Sequence, residues 1–143
     1  MMKYSRYQAE IKVLEEKLPS NIYRFMDMNT AKPYLVMAAR TNRGNIYTLK
    51  IELDMFPENI PKVFVTKMLY DCNLNPLDSP SSSMHTLNSE NGCTQICHYG
   101  TSSWTNRVSL YKVYIKCRLW LEMYEAHLST GEPIGYYLKH QKQ

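Results

Sequence analysis

Hydrophobic and polar positions along this chain fall into two helical patterns with strand-like runs between them. Around residues 5–17, Tyr7, Ile11, Leu14 and Leu18 recur at three- and four-residue steps, with Glu10, Lys12, Glu15, Glu16 and Lys17 interspersed. That spacing predicts an amphipathic helix with one apolar stripe, stopped by Pro19-Ser20-Asn21. Residues 23–28 read as a weak first strand and residues 34–40 as a stronger second one. Turn residues 41–45 follow. Then Tyr47, Leu49, Ile51 and Leu53 alternate with Thr48, Lys50, Glu52 and Asp54, which predicts a half-buried strand over 47–54. Phe56-Pro57-Glu58-Asn59-Ile60-Pro61 is a stiff connector, because each proline fixes its own φ and biases its predecessor towards extended backbone. Residues 62–70 read as a fourth strand.

The second half begins with a loop over 71–83, rich in Asn, Asp, Pro and Ser and containing Cys72. A polar, turn-forming stretch over 85–104 comes next and reads as a continuation of that loop. From Val108 to about His127 the pattern is helical again, with Thr105 or Asn106 as the expected cap. Val108, Tyr111, Ile115, Leu119 and Glu122 mark one line of this helix, and Leu110, Tyr114, Cys117, Leu121 and Tyr124 a second. So broad a stripe predicts the main cover of the sheet. A turn over 129–133 precedes a tail, 135–143, read as a short or frayed helix. The expected fold is α+β: an N-terminal helix, a four-stranded antiparallel meander, a long loop and C-terminal helices packed on one sheet.

Composition narrows the class. The 143 residues are expected to form a single domain, 1–143, large enough for a core without covalent staples. The net charge of +4 is mild and spread along the chain, so nucleic-acid binding is not expected. Twelve tyrosines and nine methionines fit an interaction surface as well as they fit compositional drift. The opening residues lack the apolar run of a signal peptide, and no segment is apolar enough to span a bilayer. A cytoplasmic address is therefore expected, with the four cysteines as reduced thiols and no membrane partner.

Candidate chemistry concentrates in 85–104, which holds two of the four cysteines and two of the four histidines. Cys97 is the candidate nucleophile, since thiolates attack acyl groups and polar loops on a rigid scaffold carry function. His98 and Arg107 lie within sequence reach to favour the thiolate. Cys93 is a weaker rival, Cys117 falls on the apolar side of a helix, and Cys72 sits in a loop. Cys93, Cys97, His98 and His85 also hold nitrogen and sulfur donors at a spacing that zinc accepts, a second reading of the same stretch. No phosphate-cradling glycine loop and no GxSxG elbow is present.

The order of helix, meander, proline connector, cysteine loop and long helix resembles the ubiquitin-conjugating enzyme family. Phe56-Pro57, Pro61 and Val63-Phe64-Val65 resemble its step between third and fourth strands. Ile96-Cys97 resembles the pair holding its acyl-accepting cysteine, and Trp104, ahead of Val108-Ser109-Leu110, the tryptophan that follows it. The resemblance covers roughly residues 2–124. It departs where the family has His-Pro-Asn, since here His85 is followed by Thr86 and Leu87, leaving Asn88, Asn91 or backbone amides to stabilise an oxyanion. Gly92 stands offset from the family's glycine before the cysteine. The segments 120–125 and 130–133 are similar to ubiquitin-conjugating-like proteins of short type II CBASS anti-phage operons, which signal by cyclic oligonucleotides.

The resemblance implies an acyl transferase in which Cys97 takes the C-terminal acyl group of a protein as a thioester and passes it to an amine. The implied protein partner is the C-terminus of a cGAS-like cyclic-nucleotide synthase. His85 is implied to order the loop by hydrogen bonding, with proton transfer as its second reading. Trp104 is implied to be a structural pin. No cofactor and no metal is called for. A catalytically inactive conjugating-like fold serving as a protein-binding module is the alternative.

Overall fold

The residues expected to point inwards from the third strand do so: Tyr47, Leu49, Ile51 and Leu53 are all buried. The computed structural model describes residues 2–141. In it, β1 (Tyr23–Met26), β2 (Tyr34–Arg40), β3 (Ile46–Glu52) and β4 (Val63–Val65) are successive antiparallel neighbours. The expectation of four strands is corrected, because β5 (Thr86–Glu90) and β6 (Cys93–Ile96) extend the sheet to six in the order β1-β2-β3-β4-β6-β5. Both added strands come from the stretch read as loop. Asn91 and Gly92 between them have φ of 53° and 72°. Two consecutive left-handed residues make the primed turn that matches strand twist, and so a polar segment folds back on itself. β4 is also shorter than 62–70. Beyond Val65 the chain is held by Thr94, whose N–H donates to the Lys67 carbonyl and whose Oγ1 accepts from the Leu69 N–H.

One row of opposed residues crosses all six strands: Phe25, Leu35, Ile51, Val63, Ile96 and Thr86. From Leu35 to Thr86 none is more than 2% exposed. Each large aliphatic member contributes about 1.5–3 kcal/mol by leaving water. The row joins a core completed by Leu14 of α1 (Tyr4–Lys17) and the inner face of α2 (Leu110–Thr130).

In α2 the line Leu110, Tyr114, Cys117, Leu121 and Tyr124 is buried as expected, together with Val113 and Trp120. The other line is not core: Ile115 is 37% exposed, and Tyr111 and Leu119 are half-buried. The cap also differs from expectation. Ser109, and neither Thr105 nor Asn106, is the cap: its Oγ accepts from the Lys112 N–H at 3.0 Å. Glu10, placed by its charge on the wet side of α1, is instead buried, and its Oε1 accepts from the Leu110 N–H. A carboxylate against the first N–H groups of a helix meets the positive end of the helix dipole. Arg6 holds it from the other side, donating to Glu10 Oε2 at 2.8 Å and to the carbonyls of Asn106 and Val108.

α2 ends at Gly131, whose φ of 81° suits a glycine closing a helix. The tail then forms α3 (Ile134–Gln141), and positions 142–143 of the expected tail lie outside the described residues. Ile134 is buried, and the Gly135 N–H donates to the Ser83 carbonyl at 2.8 Å, which seats α3 against the segment before β5. Among the described residues no helix is long and apolar enough to cross a membrane.

Candidate functional site

The hairpin and α2 together fix Cys97 and His85. Cys97 follows β6 directly, and its N–H donates to the His85 carbonyl at 3.0 Å, carrying the β5–β6 pairing one step further. The same carbonyl accepts from the indole Nε1–H of Trp120, which also donates to the Met84 carbonyl, both at 3.1 Å. His85 has φ of 52°. A side-chain-bearing residue in that left-handed region costs of order 1–2 kcal/mol, and here its carbonyl is tied from two sides. His85 therefore orders the loop through its backbone, and its imidazole takes part in neither bond.

Cys97 and His85 line one cavity of about 880 Å³ between the end of the hairpin and the helices α2 and α3. Leu119, Trp120 and Met123 contribute from α2, and Pro133, Tyr136 and Leu138 from around α3. Both candidate residues are half-buried. Burial pushes the Cys97 thiol above its ordinary value and the His85 imidazole below its own. Both shifts favour the uncharged forms, a thiol that can donate a proton and an imidazole that can accept one.

The expected positive neighbours do not supply charge. His98 lines the cavity, but burial, aided by the Lys116 charge, holds its imidazole below the usual histidine range. Its Nε2–H donates to the Pro61 carbonyl at 2.8 Å, and its buried Nδ1 has no partner among the described residues. Arg107 lines a different cleft, between the start of α1 and the proline connector. Lys116 does border the Cys97 cavity, with Nζ 5.2 Å from the centre of the Tyr99 ring.

Trp104 pins the downstream loop. Its Nε1–H donates to the Pro57 carbonyl at 3.1 Å, and its ring meets Tyr99 and Phe56 edge-on. Tyr99 in turn lies edge-on to His98. The loop after Cys97 is therefore fastened to the proline connector by two hydrogen bonds and a chain of rings.

Asn88 is exposed on β5, and Asn91 sits in the turn at the far end of the hairpin; neither lines the cavity. The zinc set is separated too. Cys93 and Cys97 stand at opposite ends of β6, about 13 Å apart at roughly 3.3 Å per residue, and Cys93 Sγ lies near the Asn91 carbonyl. Among the described residues no three His, Cys, Asp or Glu side chains gather as a metal site. Cys117 is fully buried and Cys72 exposed, away from the cavity. The residues missed in the sequence are Trp120, Met123 and the α3 contribution; the indole at position 120 is the sequence signal for the first, since a buried tryptophan N–H needs an acceptor.

No protein-family model, curated protein or solved structure matches this chain.

Proposed function

We propose that this chain is a ubiquitin-conjugating-like thioester transferase. The observation that carries the reading is the tie between the Cys97 N–H and the His85 carbonyl, which holds both residues on the wall of one cavity. The six-stranded antiparallel sheet, preceded by one helix and followed by a long one with the cysteine just before it, supports a conjugating-enzyme-like fold.

In this reading Cys97 Sγ attacks an activated C-terminal carbonyl: the new sulfur–carbon bond forms as the bond to AMP of an acyl-adenylate, or to the sulfur of another thioester, breaks, and AMP or that thiol leaves. The thiol proton passes to the uncharged His85 imidazole or to solvent. An amine then adds to the thioester carbonyl, its proton passes to the departing Cys97 thiolate or to solvent, the carbon–sulfur bond breaks, and an amide forms. Positioning the carbonyl beside the sulfur is the main contribution expected of the protein. The partner of choice is the C-terminus of a cGAS-like cyclic-nucleotide synthase in bacterial anti-phage signalling, with no cofactor on this chain and a cytoplasmic location.

The test is incubation of wild type and Cys97→Ser with that synthase and its activating enzyme, followed by non-reducing electrophoresis. The transferase yields a thiol-labile adduct in wild type and a stable oxyester with serine. A specific observation favours a second reading, a conjugating-like binding module: the thiol is pushed towards its protonated form, and among the described residues no asparagine lines its cavity. A thiol-insensitive complex that forms equally with wild type and Cys97→Ser selects that reading.

A further inference from the structure

The cavity beside Cys97 is larger and more apolar than carriage of a bare carbonyl requires. Its volume of about 880 Å³ lies within the range of small-molecule sites, about 300–1,000 Å³. Leu119, Trp120 and Met123 of α2 and Leu138 of α3 line it with apolar surface. Leu119 is half-buried, packing against the core and lining the cavity as well. Among the described residues the wall carries one ammonium, Lys116, and one carboxylate, Glu132.

We propose that this wall is a side-group slot, and that the acyl compound taken by Cys97 carries a bulky apolar group, aromatic or branched aliphatic, close to its reacting carbonyl. The inference rests on the reading of Cys97 as an acyl-accepting nucleophile. A group joined to that sulfur begins at the cavity wall, so its nearest substituents enter the space that Leu119 and Met123 also line. A glycine-like end leaves those side chains wet; a phenyl or isobutyl group covers them. The slot thereby separates donors by the residue next to the bond being exchanged.

Alkylation tests the slot with defined probes. In each, Sγ of Cys97 displaces iodide from an iodoacetamide: the sulfur–carbon bond forms, the carbon–iodine bond breaks, and the thiol proton goes to solvent. The probes are iodoacetamide and N-(2-phenylethyl)iodoacetamide, with rates read at Cys97 and at the exposed Cys72 by peptide mass spectrometry. The phenylethyl probe is expected to gain at least about tenfold over its parent at Cys97 relative to Cys72, the return from burying one aromatic ring. Leu119→Trp, which fills the slot, should abolish that preference. Should that variant not fold, N-acetylphenylalanine amide must slow the parent reaction at Cys97 in wild type where N-acetylglycine amide does not. Equal ratios at both cysteines, or a preference that survives filling, overturn the slot while leaving Cys97 a nucleophile. A Cys97 inert to both probes overturns the slot and the transferase together.

Discussion

The indole N–H of Trp120 donates to the carbonyl of His85 at 3.1 Å, and through that oxygen a buried residue of α2 holds the backbone that also receives Cys97. Trp120→Phe keeps an aromatic ring, removes the donor and leaves space where the rest of the indole was. It should cost about 2–4 kcal/mol in urea unfolding, from the lost hydrogen bond and the cavity together. It should also raise the alkylation rate at Cys97, because the His85 segment is then tied from one side only. An unchanged rate at Cys97 in a destabilised variant would show that the indole serves the core and not the site.

His85 itself separates backbone from side chain. Its φ of 52° is one that glycine adopts without penalty. His85→Gly should therefore remain within about 1 kcal/mol of wild type in stability, while His85→Ala keeps the strained backbone and loses the ring. If the imidazole takes the thiol proton, both variants load acyl groups on Cys97 more slowly by a similar factor. Loading at the wild-type rate in His85→Ala would reduce the residue to a carbonyl.

The state of the thiol gives a direct pH test. Burial holds the Cys97 thiol above its ordinary value, so its alkylation by iodoacetamide should rise with pH through a midpoint above about 8.5, the free-cysteine value. Exposed Cys72 serves as the reference in the same sample. A Cys97 midpoint below that of Cys72 would reveal an activating charge and remove the main support for the binding-module reading.

How much of this was legible follows from what each signal depends on. The alternation over 47–54 depends only on one strand having a wet face and a dry one, and its four inward residues are the buried ones. The hairpin over 86–96 escaped because its strands are polar, yet Asn91-Gly92 was the turn signal in plain view. Cys97 and His85 could be picked out as chemistry in a turn-rich stretch. What could not be read is the cavity they share, since its far wall comes from residues some twenty to forty positions later, on α2 and α3. Glu10 was misplaced for the same reason: a carboxylate on a helix reads as solvent-facing until another helix presents its N-terminus to it.

That cap can be measured. Glu10→Ala removes the acceptor of the Leu110 N–H and the partner of Arg6 in a buried place, and should cost about 2–3 kcal/mol. Glu10→Gln keeps an acceptor oxygen without the charge and should cost about half as much. Chemical denaturation of both variants decides it. Equal losses for alanine and glutamine would mean that charge, and not the hydrogen bond, carries the effect.

Acid should loosen the site before the rest of the protein. His85 and His98 are both held below the ordinary histidine value by burial, so the folded state prefers them uncharged. Above about pH 6.5 folded and unfolded forms are alike in leaving them neutral, and their contribution is fully present. As pH falls below that value the unfolded chain takes up protons first, and stability declines until the folded-state histidines titrate too. Asp71, held below the usual carboxylate range by the N–H groups of Asn75 and Asn73, responds only further down. The thermal midpoint should therefore fall between about pH 7 and about pH 5, and His98→Gln, which keeps a donor for the Pro61 carbonyl but cannot titrate, should flatten that slope. A slope identical in the variant would place the acid sensitivity elsewhere in the fold.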